Sequence, residues 1–267
     1  MRRSLVLLTA TAMLCAACTG AGDDEKPRAE AVAAVRDAVT ATSHTSARFT
    51  STLTTPVVDP AKPPQVKASG SIDLATGNAP MTVTHSSSAV GAEEILYKER
   101  VYMRPAVPMN VAVELDDRWG VDLRRTAETH TPFRPPLNDP AYTLQQVARM
   151  KDVRAEGTET VHGVPTERYR GTLDHRTLTL RLATESRENA DLLRDAYGSD
   201  LPIAAQAWVD HHGRLVQARF TLKDRTVTHA VMTLSFTDLG TPVPVTPPSH
   251  DEDTAPLHDQ LPTGLTG

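Results

Sequence analysis

The sequence is poor in cysteine, in aromatic side chains and in basic runs, and each shortage excludes a class of protein. Aromatic residues make up only 4% of the 267 positions, which argues against a surface that binds bases by stacking. The formal net charge is −5 and no Lys/Arg-rich run occurs, whereas a nucleic-acid groove needs the opposite sign. Hydrophobic residues still amount to 39%, so we expect a packed core and no nucleic acid as partner.

Both cysteines lie at the N-terminus, in a segment that predicts a lipoprotein signal peptide over residues 1–18. Two arginines precede a ten-residue apolar stretch, 5–14, which is too short to span a bilayer because a spanning helix takes about 20 apolar residues. The stretch ends in Cys15-Ala16-Ala17-Cys18. Small residues before a cysteine are typical of a bacterial lipobox, in which the cysteine sulfur receives a diacylglycerol before cleavage, although Cys15 stands where the pattern usually has Leu. The alternative is an ordinary secretory signal cut after Ala17.

Lipidation at Cys18 would place the protein on the outer face of the cell membrane, exported and held by its acyl chains. Removal of the leader leaves no unmodified cysteine, so the mature protein has no disulfide and no thiolate metal site. Removal of Arg2 and Arg3 also changes the formal net charge from −5 to −7. We therefore expect the anchor, with palmitate-type chains, and not electrostatic attraction to hold the protein at an anionic membrane.

The rest of the chain predicts a flexible tether over 19–26, one folded domain over 27–240, and a disordered tail rich in Pro and acidic residues over 241–267. Apolar residues at helical spacing predict helices over 27–42, after the N-cap Asp139, and over 186–197 before Gly198. Alternation of period two predicts about ten strands. These strands are 47–55, 65–74, 80–87, 94–98, 101–104, 119–123, 153–161, 166–174, 203–210, 215–223 and 226–237, with further alternation at Leu178, Leu180 and Leu182.

This element order is α+β, with about ten antiparallel strands and the helices on one side. Three stretches, 139–147, 156–171 and 201–215, carry a resemblance to a known group. The second contains Gly-Val-x-Thr-x-x-Tyr, from Gly163 to Tyr169, and the third contains Trp-Val-Asp-x-x-Gly-Arg-Leu, from Trp208 to Leu215. These motifs resemble fold signatures of exported actinobacterial lipoproteins of the LolA-like superfamily, which includes the LppX/LprG-type proteins and the LolA/LolB carriers. The resemblance implies a half-open, strongly curved antiparallel β-barrel whose concave face is covered by helices.

In that superfamily the space between sheet and helices holds acyl chains, so the resemblance implies a lipid or lipoglycan ligand that the protein carries across the envelope. The helices over 27–42 and 186–197 would form the lid. The residues expected to point inward and line the groove are Ile95, Tyr97, Val101, Met103, Tyr169, Leu173, Phe220, Met232, Leu234 and Phe236. The same alternation also suits a filled core. That alternative is a monomeric, anchored interaction or sensory module that acts through its surface on an envelope protein.

Enzymatic chemistry is not expected, because the sequence has no Gly-x-Ser-x-Gly, His-Glu-x-x-His, Ser-x-x-Lys or Gly-rich phosphate loop. Asp210-His211-His212 is similar to a phosphoesterase motif, but it lies at a predicted hairpin turn without the further carboxylates that a two-metal site requires. Acidic and histidine residues of the tail are expected to be solvated. No cofactor, metal or catalytic residue is therefore predicted.

Overall fold

The computed structural model describes residues 25–56, 59–86, 91–98, 100–106, 119–123, 139–180, 184–224, 227–248 and 254–256. The predicted signal peptide and its lipobox cysteine lie outside these residues. Within these ranges twelve strands form one sheet, against the roughly ten that the sequence predicts. The strands are β1 Ser46–Thr54, β2 Gln65–Asp73, β3 Ala79–His85, β4 Gly91–Tyr97, β5 Arg100–Ala106, β6 Trp119–Leu123, β7 Lys151–Val161, β8 Val164–Leu173, β9 Ile203–Asp210, β10 Leu215–Asp224, β11 Val227–Thr237 and β12 Thr254–Pro256.

The strands follow the order β12-β6-β5-β4-β3-β2-β1-β11-β10-β9-β8-β7. Every neighbouring pair is antiparallel except β12 and β6, which are parallel. The sheet curves without closing, because β12 and β7 stand at its two ends and do not pair. The half-open α+β barrel predicted from the sequence is therefore confirmed. The pairing of β1 with β11 joins the first part of the sheet to the last.

In the part of the chain that the structure describes, four helices accompany the sheet: α1 Glu25–Ser43, α2 Pro140–Val147, α3 His175–Leu178 and α4 Thr184–Tyr197. Contacts at both ends fix α1 over the sheet. Near its start Arg28 pairs with Asp152 of β7 at 3.0 Å, and near its end Thr42 Oγ1 accepts a hydrogen bond from the Leu215 amide of β10 at 2.8 Å. The helix therefore crosses the sheet from the beginning of β7 to the beginning of β10.

Helix α2 begins as the sequence predicts. The Asp139 side chain accepts a hydrogen bond from the Tyr142 amide at 3.1 Å, and Pro140 occupies the first turn, where its missing N–H leaves no bond unmade. The Tyr142 hydroxyl donates to the Leu178 carbonyl at 3.1 Å, and Arg36 Nε of α1 donates to the Ala148 carbonyl at 3.3 Å. Helix α2 is therefore held between α1 and α3.

The strand-like alternation predicted over Leu178, Leu180 and Leu182 is wrong. Residues from His175 to Leu178 form the short helix α3, and Thr179 and Leu180 form a turn, whereas Leu182 lies outside the described residues. The cause is local: the Asp174 side chain accepts a hydrogen bond from the Thr177 amide at 2.9 Å, which caps a helix and competes with strand pairing. Within the predicted tail, 241–248 has no regular secondary structure and Thr254–Pro256 forms β12.

Candidate functional site

The sheet has two chemically different faces, and the strand register shows which residues share each face. On the inner face, toward α1, Phe49 of β1 lies between Phe236 of β11 and Gly70 of β2. On the outer face, Thr50 lies between Ser235 and Ser69. Because directly opposed residues of paired strands point the same way, these rows separate an inner from an outer face. Along β1, β2 and β11 the inner face is largely apolar and the outer face is rich in hydroxyl groups.

Six of the predicted groove residues lie on the inner face and are buried. Register places Tyr169 of β8 opposite Ala207 of β9, and Phe220 of β10 opposite Met232 of β11. All six belong to one continuous apolar cluster that also contains α1 and α2 residues. Their exposed fractions are Tyr169 6%, Leu173 3%, Phe220 4%, Met232 1%, Leu234 0% and Phe236 2%.

The remaining four predicted residues divide between the faces. Val101 and Met103 of β5 lie opposite Leu96 and Glu94 of β4, on the inner face, and are half-buried. Ile95 lies opposite Tyr102 and Pro80, so it is on the outer face together with Tyr97. The prediction that Ile95 and Tyr97 share the inward register of Val101 and Met103 is therefore wrong.

Glu94 explains why the sequence predicts the wrong register for β4. The sequence from Glu93 to Tyr97 alternates equally well in either register, and a carboxylate is not expected to point inward. In the structure Glu94 is only 5% exposed, on the inner face between Met81 and Met103. Sequence reasoning missed this buried acid. Leu96 is the one signal in the sequence that could have revealed it. If Leu96 is taken as the inward residue, Glu94 must point inward too, because residues two apart on a strand share a face.

Two further polar groups lie on the inner face. The Ser51 side chain is fully buried between Ala68 and Leu234, and its hydroxyl has no hydrogen-bond partner within the part of the chain that the structure describes. The Tyr169 hydroxyl donates to Glu167 Oε2 at 2.8 Å. Burial, followed by the hydrogen bond to Glu167 and its negative charge, raises the pKa of Tyr169 well above the ordinary value. The tyrosine is therefore a neutral hydrogen-bond donor at the margin of an apolar surface.

The apolar stripe of α1 covers part of the inner face. Its buried residues Ala31, Val35, Ala38 and Val39 recur at helical spacing and join the same cluster as the sheet residues. The helix packs mainly across β7, β9 and β10, so the inner face there is tightly filled. The half-buried apolar residues of the inner face lie toward the other side, at Val83 of β3 and at Val101 and Met103 of β5.

Two clefts on the protein surface are unlike this apolar face. One, of about 310 Å³, has charged walls along β7 and β8 and is lined by Asp152, Arg154, Glu156, Arg170, Gly171 and Thr172. The other, of the same volume, lies where 241–244 passes Ala47, Arg48, Ser71 and Pro80. The charged walls of the first cleft suit water or ions better than acyl chains. The walls of the second are mixed, with Ala47, Pro80 and Val243 beside Arg48 and Ser71.

The described ranges contain neither a metal-ligand cluster nor a membrane-spanning helix. No three His, Cys, Asp or Glu side chains among the residues described are grouped closely enough to hold a metal ion. None of the helices in those ranges combines the length and the hydropathy that crossing a bilayer requires. His211 and His212 contact each other, with ring centroids 3.8 Å apart, at the hairpin turn that the sequence predicts.

Comparison with known proteins gives structural matches only. No family model matches the chain, and no curated protein matches its sequence. The lipoprotein LppX of Mycobacterium tuberculosis superposes with a TM-score of 0.52 at 16% identity, covering 82% of this chain and 99% of that one. LprF from Mycobacterium bovis superposes with a TM-score of 0.51 at 14% identity, covering 84% of this chain and 99% of that one. The chain thus shares the half-open barrel fold of LppX and LprF over nearly their whole length.

Proposed function

We propose that the protein is a membrane-anchored, non-enzymatic lipoprotein that binds an amphiphile, with its acyl chains against the inner face of the sheet, and carries it within the cell envelope. The observation that carries this proposal is the continuous apolar inner face. It extends from Val101 of β5 to Leu173 of β8 across one curved sheet. The shared fold with LppX, named as a lipoprotein, supports the same function. The anchor would be a lipidated Cys18.

Acyl-chain burial supplies enough free energy for such binding. Each methylene removed from water contributes about 0.8 kcal/mol, so two chains inserted to a dozen carbons would contribute more than about 10 kcal/mol before ordering costs. No catalytic group is needed. Specificity for a head group would come from a polar side chain beside the acyl chains, such as Glu94, which lies between Met81 and Met103 on the inner face.

We place the acyl chains against β3, β4 and β5. On the other side of the sheet α1 already fills the inner face, because Val35, Ala38 and the residues beneath them are buried. Toward β5, the apolar residues Val83, Val101 and Met103 of the inner face are only half-buried. A half-buried apolar surface in that position gains more from a ligand that covers it than the filled half does.

The tight packing beneath α1 also favours a second function. Phe220, Met232 and Leu234 are each 4% exposed or less, so this half of the barrel holds a filled core and no ligand. If the other half were filled as well, the protein would be an anchored interaction module that acts through its surface on an envelope protein. The two functions differ in one property, the presence of lipid in the purified protein.

Native mass spectrometry of the exported protein, followed by organic extraction, tests the first function. We expect an adduct of lipid mass at near-unit occupancy in the wild type. Met103→Trp, on the inner face, should abolish the adduct by filling the space. Ile95→Trp, on the outer face of the neighbouring strand, is the matched control and should retain it. A mass without adduct, with no uptake of added phospholipid, would contradict lipid binding and favour the interaction module.

A further inference from the structure

Three large apolar side chains are exposed among the residues that the structure describes. Leu192 of α4 is 67% exposed, Val227 at the start of β11 is 45% exposed, and Tyr197 at the end of α4 is 41% exposed. Single exposed apolar residues are ordinary on protein surfaces. These three are distinguished by their position, because the pairing of strands brings all of them to one end of the domain.

The strand register connects two of these residues. The Lys223 amide of β10 donates to the Pro202 carbonyl at 3.4 Å, just before β9 begins at Ile203. The next residue of β10, Asp224, pairs with Val227. Tyr197, the last residue of α4, precedes Pro202 by five residues. The start of β11 and the end of α4 therefore lie beside the beginning of β9.

Side-chain contacts bring the rest of α4 to the same end. His175 Nε2 lies 2.6 Å from Asp191 Oδ1, and the His175 amide donates to Asp200 Oδ2 at 3.0 Å. His175 lies two residues after the end of β8, and the last residue of β8, Leu173, pairs with Ile203. Leu192, adjacent to Asp191, is therefore held at the end of β8 and the beginning of β9.

The chain also enters the domain at this end. Arg28, in the first turn of α1, pairs with Asp152 near the beginning of β7, and Lys151 of β7 lies opposite Thr172 of β8. Helix α1 begins at Glu25, seven residues after Cys18. Seven residues span at most about 25 Å. A lipid anchor at Cys18 would therefore hold this end, called here the tether end, within about 25 Å of the membrane.

We infer that the tether end, defined by Leu192, Tyr197 and Val227, docks on the outer surface of the bilayer. The inference rests on the proposed lipid anchor. The opposite end, with the hairpin of His211 and His212, would point away from the membrane, because α1 extends about 28 Å between the two ends. Apolar side chains at a membrane surface enter the boundary between head groups and acyl chains, and an anchor holds them there at high effective concentration.

Charge does not drive this docking. Three basic side chains of the tether end are paired within the protein: Arg28 with Asp152 at 3.0 Å, Lys151 with Asp174 at 2.5 Å, and Arg194 with Asp195 at 3.4 Å. Arg176 and Lys223 form no ion pair among the described residues, but the acidic residues Asp191, Asp200 and Asp224 lie at the same end and offset their charge. Paired cations gain little from anionic lipid. Docking should therefore be equally strong on neutral and on anionic vesicles.

Single-cysteine variants of the lipidated protein test the inference on vesicles of phosphatidylcholine. Processing leaves lipidated Cys18 as the sole native cysteine, so Leu192→Cys and Val227→Cys each give one reactive thiol for a polarity-sensitive fluorophore. His211→Cys, at the opposite end, is the matched control. We expect spin-labelled lipid to quench the probes at 192 and 227 severalfold more than the probe at 211, with a blue-shifted emission. Replacing half of the phosphatidylcholine with phosphatidylglycerol should leave this difference unchanged.

Two results would overturn the inference while the anchor stands. One is equal quenching at all three positions in protein that floats with the vesicles. The other is quenching that requires phosphatidylglycerol, which would make the contact electrostatic. If the lipidated preparation does not float, or if Cys18→Ala floats equally well, the proposed anchor itself is wrong and the inference fails with it. Flotation and quenching therefore separate the two proposals.

Discussion

The two faces of β1 show how one strand serves two purposes. Toward α1 it presents Phe49 and Leu53, each 3% exposed. Toward solvent it presents Thr50 and Thr52, opposite Ser69 and Thr233 on the neighbouring strands. Threonine suits a strand because of its branched side chain, and its hydroxyl can remain hydrated on an open face. The inner face therefore provides the burial that stabilises the fold, while the outer face contributes strand propensity without a second core.

The largest effect expected from this difference is on the free energy of unfolding. Leu234→Ala on the inner face, where the side chain is fully buried, should cost about 2–5 kcal/mol because it removes buried methyl groups and leaves a cavity. Thr233→Ala, one residue away on the outer face, should cost less than about 1 kcal/mol. Urea unfolding of both variants measures the two costs. Equal losses would contradict the assignment of the faces.

A smaller effect is expected where the sequence predicts the wrong face. Leu96 is 1% exposed on the inner face, whereas its neighbour Ile95 is half-buried on the outer face. Leu96→Ala should cost about 2–4 kcal/mol and Ile95→Ala about half as much, because less apolar area of Ile95 leaves water on folding. Thermal and urea unfolding would reveal the order. A larger loss for Ile95→Ala would restore the register that the sequence predicts.

The sequence predicts best where local pattern and tertiary pairing agree. Alternation predicts one set of inward residues on β10 and one on β11, and the two sets pair in the structure. Those of β10 are Ala218, Phe220 and Leu222, and they lie opposite Leu234, Met232 and Ala230 of β11. Four other predictions are also confirmed: the Asp139 cap, the helix that follows the tether, the helix that precedes Gly198, and the strand Trp119–Leu123. In each of these segments one register or one cap is clearly preferred, so tertiary contacts need only select it.

Prediction from sequence fails where the pattern is symmetric or where a bulge changes it. Either register of β4 places apolar residues on both faces, and only the pairing with β3 and β5 decides between them. Val216 follows the same alternation as Phe220, but a register shift between Leu215 and Gln217 places it with Trp208 and Val161 in a separate small cluster. Bulges of this kind have no reliable signal in a single sequence.

That small cluster makes part of the outer face an exception to its open, hydroxyl-rich character. Trp208 is 2% exposed, and its Nε1 donates to Glu159 Oε2 at 3.0 Å. The Arg219 guanidinium lies 5.5 Å from the Trp208 ring centroid, within the range of a cation–π contact. The hydrogen bond from Trp208 lowers the pKa of Glu159, and the charge of Arg168 lowers it further, against an opposing effect of burial. On the outer face, charged side chains thus cover the Trp208 ring. On the inner face, the helix α1 covers the apolar residues.

Asp210, beside this cluster, gives the smallest of the three expected effects, and that effect depends on pH. Its side chain is 1% exposed and accepts hydrogen bonds from the amides of His212 and Arg214 at 2.9 Å and from Arg214 Nη2 at 2.8 Å. Burial acts to raise the pKa of Asp210, but the hydrogen bonds and the positive charge of Arg214 outweigh it, so the pKa lies below its ordinary value.

Asp210→Asn should therefore cost about 1–2 kcal/mol at neutral pH, because the amide keeps the size of the side chain and loses the charge-assisted bonds. A depressed carboxyl pKa stabilises the fold above the unfolded value of about 4, and this contribution is lost as pH falls through the folded-state pKa. The difference between wild type and variant should thus shrink in acid. Asp238→Asn is the control, since its 3.4 Å pair with Arg48 is exposed on both sides and should contribute less than about 1 kcal/mol. Urea unfolding at neutral and acid pH gives both comparisons, and a difference that persists unchanged in acid would show that Asp210 acts through packing instead of charge.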